Sequence, residues 1–320
     1  MPTDARHILN AAADTLATAG VENPRGDARL LLGLALGRDG PVLPHEDLDN
    51  YNEAIAASFD ELIARRVGGE PVSRMRGWRE FWSLRFAINE ATLDPRPDSE
   101  CLVEAAIAFG RLRNTGDPAK PLKIADLGTG SGCLLLACLS ELPAAIGVGI
   151  DINGSAIAMA RANATALGLD DRARFIECSF TALAKDKDPD TDPDTDLDAG
   201  ITAQDFDIIL CNPPYIPSAE IAGLADEVAL YDPRLALDGG DDGLTAWRAL
   251  MPNIAALLTI GGRAFVEIGD GQEDDVDLIA AAAGLYPDGR VLDLSGTIRT
   301  LIYRPAGSID GSEEHAADLE

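Results

Sequence analysis

The chain is short of the residues on which hydrolases and many metal proteins depend. Its 320 residues include three histidines, His7, His45 and His315, and none lies near a candidate nucleophile motif. A Ser-His-Asp hydrolase and a histidine-ligated metal site are therefore not expected. The five cysteines form no Cys-x-x-Cys pair, and each stands in an apolar segment, at positions 101, 133, 138, 178 and 211. The sequence thus predicts buried free thiols and neither disulfides nor zinc ligands.

Positive charge and long apolar runs are also scarce. The chain carries 26 Lys and Arg against 54 Asp and Glu, a formal net charge of −28. A surface this negative repels phosphate backbones, so direct nucleic-acid binding is not expected. The longest weakly polar run, residues 133–150, is interrupted by Glu141 and Pro143, which argues against a membrane span. We expect a cytoplasmic, monomeric protein.

The N-terminal quarter predicts helices. Apolar residues recur at helical spacing through residues 7–20, 28–36 and 46–67, which indicates a helical domain over residues 1–75. This domain either docks a partner or simply packs. Alternation of Trp82, Leu84, Phe86 and Ile88 then predicts a β-hairpin linker over residues 76–92.

Strands and helices alternate in the rest of the chain. The alternation begins at Lys120 and continues to Arg304, which predicts a doubly wound α/β sheet in a domain spanning residues 93–305. An aspartate-rich insertion, residues 185–200, interrupts it and is too polar to pack, although its Asp-x-Asp spacing leaves calcium binding as an alternative. Residues 306–320 are expected to form a disordered acidic tail.

A glycine loop, DLGTGSG at residues 126–132, follows a predicted strand and opens a predicted helix. Glycines allow a sharp turn and the close approach of a ligand to main-chain atoms. The spacing is Gly-x-Gly-x-Gly, because Cys133 stands where a dinucleotide fingerprint requires glycine, and no Gly-Lys-Ser/Thr of a P-loop follows. The alternative is a purely structural turn. Asp151 ends the next predicted strand, where its carboxylate can accept both hydroxyls of a ribose.

This Asp–glycine loop–Asp pattern resembles class I S-adenosylmethionine-dependent methyltransferases, which implies a Rossmann-like fold. The resemblance implies that the loop wraps the methionine part of the cofactor and that Asp151 binds its ribose. The implied cofactor-binding residues are Asp126, Gly128, Thr129, Gly130, Ser131, Gly132, Asp151, Phe180 and Asn212.

The tetrapeptide Asn212-Pro213-Pro214-Tyr215 follows the apolar run FDIILC at residues 206–211. A planar NH2 group is a poor nucleophile because its lone pair is delocalised. The side-chain oxygen of Asn212 can accept a hydrogen bond from one N–H of such a group. The backbone carbonyl of Pro213 can accept a hydrogen bond from the other N–H. Tyr215 can pack on the planar group beside a sulfonium. The alternative is a proline-rich turn. The motif favours transfer to a planar nitrogen, and at this place it resembles that of methyltransferases that act on adenine N6 or on glutamine N5.

Longer segments narrow the choice. Residues 65–106, 231–244 and 265–272, together with DLGTGSG and NPPYIP, resemble the release factor glutamine methyltransferase family from about residue 28 to 304. The resemblance implies methyl transfer from S-adenosylmethionine to the glutamine of the Gly-Gly-Gln motif of class 1 peptide-chain release factors. It implies catalytic roles for Asn212, Pro213 and Tyr215, and substrate contacts by Pro214, Arg96 and Pro97, although the last two can also be a rigid connector.

The family usually has an acidic residue after its third strand, where this chain has Ser179, so the adenine contacts are expected to differ. Three alternatives stay open: a glutamine methyltransferase of a ribosomal protein, an adenine N6 nucleic-acid methyltransferase, and a non-catalytic S-adenosylmethionine-binding module. The net charge of −28 argues against the second. An intact Asn212–Tyr215 motif argues against the third.

Overall fold

The computed structural model describes residues 3–113, 120–179 and 205–307. These residues form two compact units, Met1–Arg79 with Gly223–Asp232, and Glu80–Ala222 with Pro233–Glu320. The α-helices are α1 Ala5–Thr18, α2 Pro24–Ala35, α3 Glu53–Val67, α4 Val72–Arg76, α5 Glu100–Arg113, α6 Cys133–Glu141, α7 Gly154–Leu167, α8 Asp226–Ala229, α9 Thr245–Leu257 and α10 Glu273–Ala282. The strands are β1 Thr3–Asp4, β2 Asp47–Leu48, β3 Trp78–Phe81, β4 Leu84–Ala87, β5 Lys123–Leu127, β6 Ile146–Asp151, β7 Ala173–Glu177, β8 Phe206–Cys211, β9 Leu258–Glu267, β10 Leu285–Leu292 and β11 Ile298–Pro305.

The first unit is a helical bundle, as predicted. Helices α1, α2 and α3 bury one apolar face each in a shared core that includes Leu16, Leu31 and Phe59. One boundary was predicted wrongly, because the helical spacing extends N-terminally to Leu48. That residue lies in β2, paired with β1, and the side chain of Asn52 caps α3 by accepting from the amides of Ala54 and Ile55.

The chain passes from the first unit to the second inside β3, between Arg79 and Glu80. Strands β3 and β4 form the predicted hairpin, which is therefore confirmed. Its two connecting residues, Trp82 and Ser83, both have positive φ, at 53° and 56°. The amide of Trp82 donates to Glu100 Oε1 at 2.9 Å, which ties the turn to the start of α5.

A seven-stranded sheet dominates the second unit, in the order β10-β11-β9-β8-β5-β6-β7. The strands from β9 to β7 in this order are parallel, and β11 and β10 are added antiparallel at one edge. The predicted doubly wound α/β fold is confirmed, and the class I methyltransferase arrangement with it. Strand β10 was missed because its Pro287 and Gly289 indicate a turn, whereas both lie at a bulge on an edge strand.

Helices cover both faces of this sheet. One apolar cluster includes Leu102 of α5, Leu135 of α6 and Phe175 of β7. A second includes Trp247 of α9, Val276 of α10 and further residues of the central strands. The two layers hold the carboxyl ends of the parallel strands in fixed register, which is the edge where a ligand site is expected.

The five cysteines are free thiols, as predicted, although Cys101 and Cys133 are only half-buried. No helix among the described residues has the length and apolar character needed to cross a bilayer. The predicted aspartate-rich insertion at 185–200 and nearly all of the predicted tail at 306–320 lie outside the described residues.

Candidate active site

The site begins with three parallel strands that end side by side. Leu127 at the end of β5 is in register with Ile150 of β6 on one side and with Cys211 of β8 on the other. The chain runs outward through β6 and β7 and then returns to β8 on the opposite side of β5, so the strand order reverses at β5. Ligands of open α/β sheets bind at such a reversal. A cavity of about 290 Å³ lies there, lined by the residues that follow these strands.

The glycine loop after β5 depends on backbone conformations that other residues rarely adopt. Gly128, Gly130 and Gly132 have φ of 84°, 54° and 83°. A Cβ at Gly130 would meet no atom within 4 Å, whereas one at Gly132 would lie 3.2 Å from the Ala160 side chain. Gly132 also serves as the N-cap of α6. The loop therefore presents main-chain atoms at the cavity wall and packs closely against α7 behind.

Hydrogen bonds tie the loop to the end of β6. The amides of Gly128 and Thr129 both donate to the Ile150 carbonyl, at 2.8 and 2.9 Å. The amide of Gly130 donates to Asp151 Oδ2 at 2.9 Å, and that of Asn153 donates to Oδ1 at the same distance. Burial raises the pKa of Asp151, while these backbone bonds oppose the shift. A carboxylate has about four acceptor positions, so Asp151 retains acceptor capacity for a ligand hydroxyl.

Asp126 lies beneath the loop. It is fully buried, and its Oδ2 accepts from the Thr129 hydroxyl at 2.7 Å. Burial raises the pKa of Asp126 to about 7, although the bond from Thr129 lowers it, and the Asp151 charge adds a smaller increase. This carboxyl does not line the cavity and acts on the loop from behind.

The Asn-Pro-Pro-Tyr motif begins immediately after β8. Asn212 is half-buried, and its Nδ2 donates to Ser99 Oγ at 3.3 Å. Pro213 is buried and, like Asn212, lines the cavity. Within the described residues, no hydrogen bond reaches Asn212 Oδ1 or the Pro213 carbonyl. Two acceptors on successive residues are thus available at the cavity wall.

The rest of the motif is held from the other side. Gln272 Nε2 donates to the Tyr215 carbonyl at 2.9 Å, and the Tyr215 hydroxyl donates to Glu267 Oε1 at 3.4 Å. Burial raises the pKa of Tyr215, as does the nearby Glu267 charge. A Cβ at Gly243 would lie 2.4 Å from the Tyr215 carbonyl oxygen, so glycine is needed there for the chain to pass.

The structure brings together many of the residues predicted from sequence and separates others. Nine of them line the cavity: Arg96, Gly128, Thr129, Gly130, Ser131, Asp151, Asn212, Pro213 and Pro214. Four of them, Asp126, Gly132, Pro97 and Tyr215, do not line it. Phe180 falls outside the described residues.

The sequence did not predict one wall of the cavity. The missed wall is contributed by the segment after the motif, at Pro233, Leu235, Ala236, Asp238, Thr245 and Ala246. This segment is held beside the motif, since the amide of Ile216 donates to the Leu237 carbonyl and that of Gly239 to the Ile216 carbonyl. A loop of this kind carries no periodic pattern, and residues 231–244 were marked only by their resemblance to the family, which gave none of them a role in the site. Ser99 was also missed.

The sequence matches two protein-family descriptions, one in its N-terminal part and one in the part that carries the site. Residues 7–77 match "PrmC N-terminal domain". Residues 119–273 match "Methyltransferase domain". The second match contains the glycine loop, Asp151 and the Asn-Pro-Pro-Tyr motif.

Curated relatives match over nearly the whole chain. A release factor glutamine methyltransferase of Rhodospirillum rubrum is 46% identical over 298 residues, covering 93% of this chain and 84% of the relative. One of Bradyrhizobium diazoefficiens is 43% identical, covering 91% and 92%. One of Moorella thermoacetica is 38% identical, covering 93% and 98%. With the glycine loop, Asp151 and Asn212 at three adjacent strand ends, this chain belongs to the release factor glutamine methyltransferase family.

Proposed function

We propose that the protein transfers a methyl group from S-adenosylmethionine to the N5 side-chain amide of the glutamine in the Gly-Gly-Gln motif of peptide-chain release factors. The observation that carries the proposal is the pair of available acceptors, Asn212 Oδ1 and the Pro213 carbonyl, on the wall of a cavity that the glycine loop also lines.

The residues of the cavity fit S-adenosylmethionine. The loop at Gly128–Gly130 leaves room for a ligand against the main chain, since a Cβ at Gly130 would meet no atom within 4 Å. Asp151, with acceptor capacity remaining, suits a hydroxyl of a ribose. Leu134 and Ile152 add apolar wall. When bound, S-adenosylmethionine supplies an electrophilic methyl group on a sulfonium.

Asn212 and Pro213 would orient the substrate amide. An amide nitrogen is weakly nucleophilic, because its lone pair is shared with the carbonyl. Two acceptors, one for each N–H, fix the nitrogen in the plane that directs its lone pair at the methyl group and stabilise the positive charge that develops there. No strong base is needed for this step, since the product is acidic enough to lose its proton to water.

The remaining assignments belong to the same proposal. Pro214 lines the cavity and would contact the substrate amide, and Tyr215 would cover it after a small movement of its ring. Arg96 would contact the incoming glutamine loop at the cavity wall, with Pro97 stiffening its segment. Asp126 and Gly132 would shape the cofactor loop from behind, and Phe180 would contact the adenine.

We further propose a division of labour along the chain. Residues 1–75 would dock the release factor, residues 76–92 would link, and residues 93–305 would carry out the transfer. The protein would act as a cytoplasmic monomer and would not bind nucleic acid directly, in keeping with its net charge of −28.

Labelled S-adenosylmethionine tests the substrate. The protein is incubated with an intact release factor, with a factor whose Gly-Gly-Gln glutamine is replaced, with ribosomal proteins and with DNA. We expect label on the intact factor alone. Label on DNA, or equal labelling of the substituted factor, would contradict the proposal.

The clamp itself is tested by Asn212→Ala. Loss of one oriented acceptor should lower kcat by about 100-fold or more. Binding of S-adenosylhomocysteine, followed by calorimetry, should weaken much less. Thr165→Ala, which removes an exposed side chain on α7, serves as the matched control and should leave both measurements unchanged. Unchanged turnover in Asn212→Ala would remove this residue from the mechanism.

A further inference from the structure

We propose that Asn163 is a positioning residue that holds two walls of the cavity in a fixed relation to each other. The inference rests on the proposed function and adds to it. Methyl transfer requires the sulfonium methyl and the glutamine nitrogen to lie in line, so the wall that binds the cofactor must not shift against the wall that receives the substrate. The loop at Gly128–Ser131 belongs to the first wall, and Arg96, in segment 91–99, belongs to the second. Asn163 itself is not among the described residues that line the cavity.

Asn163 reaches the loop because α7 packs closely against it. The buried face of α7 consists largely of small side chains, such as Ala156, Ala160 and Ala164, and Asn163 stands among them. A Cβ at Gly132 would lie 3.2 Å from the Ala160 Cβ, which places the helix and the loop in contact three residues before Asn163. Asn163 is only 2% exposed, and a polar group buried to this extent requires hydrogen-bond partners.

The partners of Asn163 come from the loop and from β4. Its Nδ2 donates to the Ser131 carbonyl at 2.9 Å and to the Ala87 carbonyl at 3.0 Å. Its Oδ1 accepts from the Ala87 amide at 2.8 Å. A flipped side chain would set Oδ1 against both carbonyls and the NH2 group against an N–H, so the backbone groups fix its orientation. One rigid amide thus joins the end of β4 to the cofactor loop.

A short segment carries the position of Ala87 to the second wall. The amide of Thr92 donates to the Asn89 carbonyl at 3.1 Å. The amide of Ala91 donates to Asn89 Oδ1 at 2.9 Å, so the chain after β4 forms a hydrogen-bonded turn. Ala91 lies four residues after Ala87 and already lines the cavity. The bonds at Ala87 therefore fix the start of this wall, which continues through Leu93, Pro95 and Arg96.

Two variants test the effect on catalysis. Asn163→Ala removes all three hydrogen bonds, whereas Asn163→Asp keeps the acceptor for the Ala87 amide and loses both donations. A misplacement of about 1 Å costs on the order of 100-fold in rate, so both variants should lower kcat for release factor methylation about tenfold or more. The affinity for S-adenosylhomocysteine, followed by calorimetry, should weaken much less, because the amides of Gly128, Thr129 and Gly130 stay bonded to the end of β6.

A matched control and a count of binding-competent molecules separate positioning from loss of folding. Thr165→Ala removes an exposed side chain two residues further along α7 and should behave as the unaltered protein. The calorimetric stoichiometry gives the fraction of each protein that binds S-adenosylhomocysteine, and each rate is divided by that fraction. A residue that served stability alone would leave the corrected kcat unchanged.

Hydrogen exchange of the Ala87 amide tests the link without turnover. Ala87 is not among the described residues that line the cavity, yet its amide is bonded to the side chain that holds Ser131. S-adenosylhomocysteine should order the loop and thereby slow exchange of this amide in the unaltered protein, by about threefold or more. In Asn163→Asp the acceptor for the amide remains but the bond to the loop is lost, so the same ligand should have little effect.

The outcomes distinguish this inference from the proposed function. If both variants keep the corrected kcat, or lose as much affinity for S-adenosylhomocysteine as they lose in kcat, positioning by Asn163 is overturned and the clamp at Asn212 stands. Exchange of the Ala87 amide that does not respond to the ligand in the unaltered protein, or responds equally in Asn163→Asp, also overturns it, and the first of these needs no variant to fold. If the release factor is not methylated at all, the proposed function is overturned, and the exchange of the Ala87 amide still decides whether Asn163 links the loop to β4.

Discussion

At the scale of single residues, the carboxyl edge of the sheet combines acceptors that line a cavity with buried acids. Asn212 and Asp151 were predictable because each follows an apolar run that indicates a buried strand, and strand ends in parallel sheets meet at one edge. Ser99 was not, because its contact with Asn212 joins two residues that lie 113 positions apart in the chain. A serine in a proline segment has no local signature.

Asp126 gives a prediction about stability and pH. Its pKa of about 7 in the folded protein lies above the ordinary value of 3.8, so between these values the folded state binds more protons than the unfolded state. Stability must then fall as pH rises, by at most about 1.4 kcal/mol per pH unit for this group. Asp126→Asn, which cannot ionise, should flatten the dependence.

The measurement is urea unfolding at about pH 5 and about pH 7 in both proteins. The loss of stability between the two should be smaller in Asp126→Asn. Asp242→Asn is a suitable control: hydrogen bonds from Arg248 and from the Leu244 amide hold the pKa of Asp242 at about 2, so this carboxyl does not titrate in the range. An unchanged slope in Asp126→Asn would show that Asp126 is ionised in the folded protein throughout.

At the scale of elements, periodicity predicted most of the helices and strands and failed where another constraint took precedence. The alternation from residue 120 onward gave the strands β5 to β9 and β11 and the helices α6, α7 and α10. Helix α9 was missed, since Pro252 stands inside it and suggests a break. The predicted hairpin forms although its turn sequence is unfavourable. The two-residue connection requires positive φ, and neither Trp82 nor Ser83 favours that conformation.

That turn is strained, and Ser83→Gly should relieve it. A non-glycine residue in the left-handed region costs about 1 kcal/mol, while glycine adopts it freely. Ser83 is exposed and φ is 56°, so the substitution should raise the free energy of unfolding by about 0.5–1 kcal/mol. Ser140→Gly makes the same chemical change inside α6 and should instead lower it by a similar amount. Urea unfolding of both variants checks the opposite signs, and destabilisation by Ser83→Gly would contradict the strain argument.

At the scale of the whole molecule, chain order and spatial grouping disagree in one place. Segment Gly223–Asp232 lies between the Asn-Pro-Pro-Tyr motif and the missed cavity wall in sequence, yet it groups with the helical first unit. Composition gave no sign of this grouping, because the segment is acidic, with three acidic residues and no basic one, in a chain that is acidic throughout. The grouping depends on long-range ion pairs, which a single sequence does not reveal.

Two arginines of the first unit hold this segment. Arg66 bonds Asp27 at 2.7 Å and Glu227 at 3.0 Å. Arg74 bonds Asp232 at 2.6 Å, with side chains only 8% and 2% exposed. In sequence the segment continues directly into Pro233, which lines the cavity.

Arg74→Ala tests this link. Removing one partner of a buried ion pair leaves the other charge in a poorly solvated place, so we expect a loss of about 3 kcal/mol in the free energy of unfolding of the first unit. Arg65→Ala is the matched control, since Arg65 pairs with Glu70 at a more exposed site, with side chains 40% and 17% exposed, and such a pair contributes less than about 1 kcal/mol.

Hydrogen exchange resolves where in the protein the stability is lost. Amides of residues 223–232 should exchange faster in Arg74→Ala. The exchange rates of amides in the central strands β5 and β8 should not change, because the cores of the second unit contain neither Arg74 nor Asp232. Equal effects of the two arginine variants, or loss of protection spread over the central strands, would show that Arg74 does not hold the segment as an independent element.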